Sequence, residues 1–121
     1  MTKDDYNVFC ASLAVTTHVV QWGNSEVWKV GGKVFAIAGW GDGEEFAVTF
    51  KVTPLSFDIL QDQPGLRPAP YLAARGMKWI QHHALPGLDD AALRDYIKAS
   101  YRLVADGLSK TKQKELGLLA D

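Results

Sequence analysis

The spacing of apolar residues shifts along the chain from a helical period to a strand period and back again. Tyr6, Phe9, Cys10 and Leu13 recur every three to four residues, as on one face of a helix. Thr2 followed by Asp5 has the form of a capping box, with Asp in place of the usual Glu. A first helix is therefore predicted from about Lys3 to Leu13. Residues 18–51 read as strands. The sharpest signal is Glu26-Val27-Trp28-Lys29-Val30, then Gly31-Gly32, then Lys33-Val34-Phe35-Ala36-Ile37. Two glycines between β-rich runs favour a two-residue hairpin loop with positive φ. That loop sets Val30 opposite Lys33, Trp28 opposite Phe35 and Val27 opposite Ala36. Opposed residues share a sheet face. The core face should then carry Trp28, Val30, Phe35 and Ile37, and the outer face Val27, Lys29, Val34, Ala36 and Ala38.

A turn at Gly41-Asp42-Gly43 leads to a strand in which Phe46, Val48 and Phe50 face the core, leaving Ala47, Thr49 and Lys51 outside. Thr53-Pro54 reads as an N-cap with proline at the first helical position. Leu55, Ile59 and Leu60 mark a short second helix, stopped by Pro64-Gly65. Arg67-Pro68-Ala69-Pro70-Tyr71-Leu72 is a rigid extended connector, because each proline fixes φ and cannot donate to a sheet. Lys78 to His83 reads as a last strand, ended by Pro86-Gly87. From about Asp89, Leu93, Ile97, Ser100, Tyr101, Val104 and Leu108 repeat at helical steps, and Gly107 can end that helix. Residues 109–121 form either a frayed C-terminal extension or a short docked helix. The order α-β-β-β-α-β-α predicts one α+β domain over residues 1–121: an antiparallel sheet with the N- and C-terminal helices packed on one face.

Composition narrows the class without naming a partner. With 121 residues, 47% of them apolar, the chain can bury a core without staples. No apolar run approaches the roughly 20 residues of a membrane span, so no membrane partner is expected. The start, Met1-Thr2-Lys3-Asp4-Asp5, has no apolar leader. The single cysteine, Cys10, fits a reducing compartment, and a cytoplasmic location is expected. Net charge is −1, with no overall pull on nucleic acid. The charge is uneven, however: residues 1–66 carry a balance of −4 and residues 67–121 a balance of +3.

Catalytic patterns are missing. His82 and His83 are adjacent, so on a strand they point to opposite faces and make no shared metal site. No CxxC or HExxH spacing accompanies them, and neither a metal nor a cofactor is expected. Cys10 lies on an apolar helix face, where a thiol is inert. Asp42, Glu44 and Glu45 sit in a loop with nothing to raise a carboxyl pKa, and the glycine-rich turns lack phosphate-loop spacing. No catalytic residue is assigned, and the chain is not expected to be an enzyme. What remains is a basic and aromatic set: Lys33, Lys51, Arg67, Arg75, Lys78 and Trp79, with Arg94, Lys98 and Arg102 in a stripe on the final helix. Such cations engage phosphates without reading sequence. The alternative is a module for protein or small ligands, using the open sheet face around Ala36, Ala38, Ala47 and Thr49 or a pocket beside Tyr71 and Trp79.

Three segments carry a resemblance. They are the Gly31-Gly32-Lys33-Val34-Phe35-Ala36 hairpin, the Arg67 to Leu72 connector with Trp79, and the Leu93 to Val104 helix with its Ser100-Tyr101-Arg102. In this order they resemble the MmcQ/YjbR family of small bacterial proteins. The resemblance implies a frataxin-like α+β domain whose hairpins contact DNA, and the few cations available make that contact weak and non-specific. Carried over residue by residue, it implicates Lys33, Lys51, Arg67, Tyr71 and Trp79.

Overall fold

The computed structural model describes residues 1–41 and 46–119. Helix α1 spans Lys3–Ser12, and its capping box is present: Asp5 N–H donates to Thr2 Oγ1 at 3.0 Å and Thr2 N–H donates to the Asp5 carboxylate at 3.2 Å. The Thr2 N–H, and after it the Thr2 hydroxyl, hold the Asp5 carboxyl below its ordinary range. Four strands follow: β1 (Thr16–Gln21), β2 (Ser25–Val30), β3 (Lys33–Ala38) and β4 (Val48–Lys51). Helix α2 (Pro54–Leu60) starts on the Thr53 cap, and β5 (Leu66–Pro68), a 3₁₀ turn (Ala73–Arg75) and β6 (Trp79–His82) come next. Helix α3 (Asp90–Asp106) and a short α4 (Lys110–Glu115) close the chain.

The sheet has six strands in the order β1-β2-β3-β4-β6-β5, every pair antiparallel. Two strands exceed the predicted order. Strand β1 is mostly exposed and shows no alternation of apolar and polar residues, so its sequence lacks the usual signature. Strand β5 forms inside the segment read as a connector. It is an edge, where Pro68 needs no partner for its missing N–H. The tail is docked: Ser109 caps α4, and Leu108 and Leu116 lie against Gly31 of the β2–β3 turn.

The two-residue loop at Gly31-Gly32 is as predicted, with φ of +59° and +80° and Val30 opposite Lys33. Two residues later the register shifts. Trp28 pairs with Ala36, not Phe35, and Val27 with Ile37, because Phe35 is the extra residue of a β-bulge. The bulge puts Phe35 and Ala36 on the same side, in the helix-covered core, with Ala38 beyond them. It turns Ile37 to the opposite face, into a row with Val27, Thr49, Gln81 and Arg67. The expected outer platform around Ala36 and Ala38 therefore does not exist, and Ile37 does not lie under the helices.

Helices α1, α2 and α3 cover one face. Tyr6, Cys10, Phe57, Leu93, Ile97, Tyr101 and Val104 pack with Trp28, Val30, Phe35, Val48, Phe50 and Ile80 in one cluster, and Phe46 packs at its margin. Polar tips are tied off: Tyr6 Oη donates to Glu26 O at 2.9 Å, Trp28 Nε1 to Asn7 Oδ1 at 2.8 Å and Tyr101 Oη to Ala14 O at 2.6 Å. The outer face is not left in water either. Val27, Ile37, Thr49 and Gln81 are all buried.

Candidate functional site

The site begins with one hydroxyl. Ser100 sits on the apolar stripe of α3 and is fully buried. Its Oγ accepts from Lys51 N–H at 2.8 Å and donates to Phe35 O at 2.6 Å. Beyond the Ala36–Phe50 pair, the β3–β4 ladder stops, and this hydroxyl spans the gap. Bulge and bridge together splay the ends of the two strands. A cavity of about 390 Å³ opens there, lined by Lys33 and Val34 of β3 and Lys51 of β4. Ile37 and Trp79 extend it across the outer face, and Leu103, Val104 and Leu108 close it from α3 and the residues after it. Its size falls within the roughly 300–1,000 Å³ of small-molecule sites.

The rim is aromatic. Trp22, from the β1–β2 turn, and Trp40, from the segment after β3, both line the cavity. Their rings lie 5.6 Å apart, and Trp40 meets Tyr71 edge-on at 5.4 Å. All three hold left-handed backbone: φ is +54° at Trp22, +63° at Trp40 and +69° at Tyr71. For bulky residues this conformation is rare and costs on the order of 1–3 kcal/mol each. The Trp40 segment is pinned by Gln81, whose Nε2 donates to Gly39 O at 3.2 Å and Trp40 O at 3.0 Å. Gln81 Oε1 in turn accepts from Arg67 Nε at 2.7 Å. A fully buried amide thus holds the rim over the outer face.

The predicted residues scatter around this frame. Lys33, Lys51 and Trp79 meet at the cavity. Trp79 is 5% exposed, so it is a wall and not a platform on which a base could stack. Tyr71, at 71% exposed, braces Trp40 from outside. Arg67 supports Gln81. Lys78 turns toward α2, its Nζ 4.8 Å from the centre of the Phe57 ring. Arg75 is exposed at the end of the 3₁₀ turn. Lys98 and Arg102 are exposed on α3, which packs on the other face of the sheet. The carboxylates Asp42, Glu44 and Glu45 lie outside the described residues.

Other reactive groups are held in unreactive settings. Cys10 is buried, and burial pushes its thiol up to about 12. His82 ends β6 on the helix side, its Nε2 3.3 Å from Leu88 O, and burial lowers its pKa. Among the described residues, no three His, Cys, Asp or Glu side chains converge as a metal set would. No helix among them is long and apolar enough to cross a membrane.

The architecture and the sequence both have relatives. The YjbR family model matches residues 11–103. This chain belongs to the YjbR family. An uncharacterised protein of Escherichia coli O157:H7, YbdF, is 32% identical over 93 residues, covering 75% of this chain and 73% of that protein. The crystal structure of Deinococcus radiodurans DR2400, described by the domain DUF419, superposes with a TM-score of 0.84 at 23% identity, over 98% of this chain and 89% of that one. A Pseudomonas syringae protein, target PsR293, gives 0.67 at 20% identity, over 86% and 99%. At these identities the structures establish a shared fold.

Within this YjbR chain, the residues that build the cavity rim were not singled out by motif. Trp22-Gly23-Asn24 forms the β1–β2 turn, and Gly39-Trp40-Gly41, which reads as part of a glycine-rich turn, is irregular chain after β3. The unused signal is a large aromatic placed among glycines, where a turn needs none. Ser100 carried a similar signal, as the one small polar residue in a helical repeat of large apolar and aromatic ones.

Proposed function

We propose that this YjbR-family protein is a non-catalytic binding module whose splayed sheet end accepts a small, largely apolar molecule. The observation that carries the reading is the strained aromatic rim. Trp22 and Trp40, both in left-handed backbone, meet at the mouth of one cavity, and Tyr71, also left-handed, braces Trp40 from outside. Strain of this kind concentrates at ligand clamps, where the surrounding structure over-determines it. The lining supports the same reading, with Val34, Ile37, Leu72, Met77, Trp79 and Leu103 supplying apolar surface. Titration with the neutral fluorophore N-phenyl-1-naphthylamine tests it. Saturable binding should disappear in Leu103→Trp, which fills the cavity, and weaken in Trp40→Ala. Failure of the natively folded protein to bind, or binding unchanged by both substitutions, removes this reading.

Nucleic-acid binding is the second reading, and the sheet register favours it at one point. Lys29, Lys51 and Arg67 project from the same outer face, whereas Lys33 pairs with Val30 of the helix-covered face. Contact through so few cations would be weak and non-specific, on the order of 10⁻⁴–10⁻⁶ M, with a shallow salt dependence. Fluorescence anisotropy on duplex and single strands at low salt decides it. Replacing Lys33, Lys51 and Arg75 together by glutamine should reduce any binding and flatten the salt slope. The likeness to the frataxin fold and a cytoplasmic site of action belong to the same proposal.

A further inference from the structure

The cavity does not end at its apolar walls. A second hollow of about 210 Å³ is lined by Val52, Thr53 and Ser56 on one side and Tyr96, Ala99, Arg102 and Asp106 on the other. Lys51 and Leu103 line both hollows, so the two adjoin at the Lys51 side chain. Among the described residues, no ion pair or hydrogen bond engages the ammonium of Lys51 or of Lys33. Lys51 is nonetheless half-buried. A partly buried charge with no counter-charge is costly to hold, and a charge-assisted hydrogen bond from an incoming anion is the strongest interaction open to it. Among the described residues no carboxylate lines the larger cavity, whereas Asp106 in the smaller one offsets one of the two cations there.

We propose that the occupant is an amphiphilic acid: an aromatic or alkyl body in the larger cavity, and a singly charged carboxylate-type group on Lys51, reaching toward Arg102. This rests on the cavity reading above and specifies its ligand. Lys33, at the far strand end of the same lining, adds favourable potential to the larger cavity. A doubly charged group such as a phosphate monoester would meet Asp106 and is disfavoured.

Two probes that differ by one charge test it. 8-Anilinonaphthalene-1-sulfonate and N-phenyl-1-naphthylamine share a body, and only the first carries an anion. The sulfonate should bind about tenfold more tightly at low salt, and its advantage should shrink as salt rises. Lys51→Gln should remove most of that advantage, weakening the sulfonate far more than the neutral probe, because the charge is lost while the backbone bond to Ser100 is kept. Lys33→Gln should remove a smaller share. In competition, 1-naphthoate should displace the sulfonate better than 1-naphthyl phosphate does. Amide NMR spectra of each variant establish that it is folded, and Leu103→Trp should abolish binding of both probes. Equal affinities for the two probes, unmoved by Lys51→Gln, overturn the acid assignment and leave the cavity reading standing. Binding of neither probe overturns both. Preference for the phosphate overturns the single-charge assignment.

Discussion

The two faces of this sheet both bury residues of the central strands but differ in construction. Under the helices, Phe35, Phe50, Ile80, Leu93 and Ile97 interlock, and the polar tips of Tyr6, Trp28 and Tyr101 each meet a named partner. On the outer face, burial comes from loops and rings held by one glutamine, and a cavity remains. The helix face is built by burial of apolar surface, which needs only complementary shape. The outer face spends strain at Trp22, Trp40 and Tyr71 and keeps two lysines at a hollow. Stability therefore resides on one face, and the features that stability alone would remove lie on the other.

The largest expected effect separates the faces directly. Ile97 and Ile37 are both almost fully buried. Ile97→Ala leaves a closed void and should cost about 2–5 kcal/mol by urea denaturation. Ile37→Ala enlarges an existing hollow and should cost about 1–2 kcal/mol, since the cost depends on the void created. Equal losses would erase the distinction. Ser100→Ala should come next, at about 1–3 kcal/mol, because it strands Lys51 N–H and Phe35 C=O in the interior. That variant should also change the naphthylamine affinity, since the same hydroxyl spans the splayed strands.

Gly31→Ala should cost about 1–2 kcal/mol from its left-handed backbone alone. The new Cβ would lie 2.6 Å from Leu108 Cδ1, so exchange protection in α4 should fall with it. The smallest effect is in pH. Burial depresses the His82 pKa, so the unfolded chain takes up that proton first. The stability this contributes is fully present above about pH 6.5 and is lost as pH falls through the lower folded-state value. Urea midpoints between pH 7.5 and 5 should fall more steeply in the parent than in His82→Gln. Parallel curves would show that His82 is not the group responsible.

Much of the helix face was legible in the sequence. Helical spacing from Leu93 to Val104, the Thr2, Thr53 and Asp89 caps, and the Gly31-Gly32 loop each follow from local chemistry. The outer face was less so, and one residue accounts for most of the loss. A bulge inverts the side-chain parity of everything beyond it, and Phe35 lies in a run where every neighbour suits a strand on either face. The bulge is recognisable only with Ser100, which is 65 residues away. Strand β1 was obscured because both its faces are largely exposed. The basic residues were found individually, but their grouping depends on strand ends meeting in space, which no spacing encodes.

The placement of the indoles has a practical consequence. Three of the four tryptophans, Trp22, Trp40 and Trp79, line the cavity. The fourth, Trp28, is buried beneath the helices with its Nε1 bonded to Asn7. The molecule thus carries its own optical gauge. Changes in emission at the cavity report on its contents, while Trp28 supplies an internal reference from the opposite face. Unlabelled protein is then sufficient to screen a library of natural acids, and single Trp→Phe substitutions would identify which wall each compound touches.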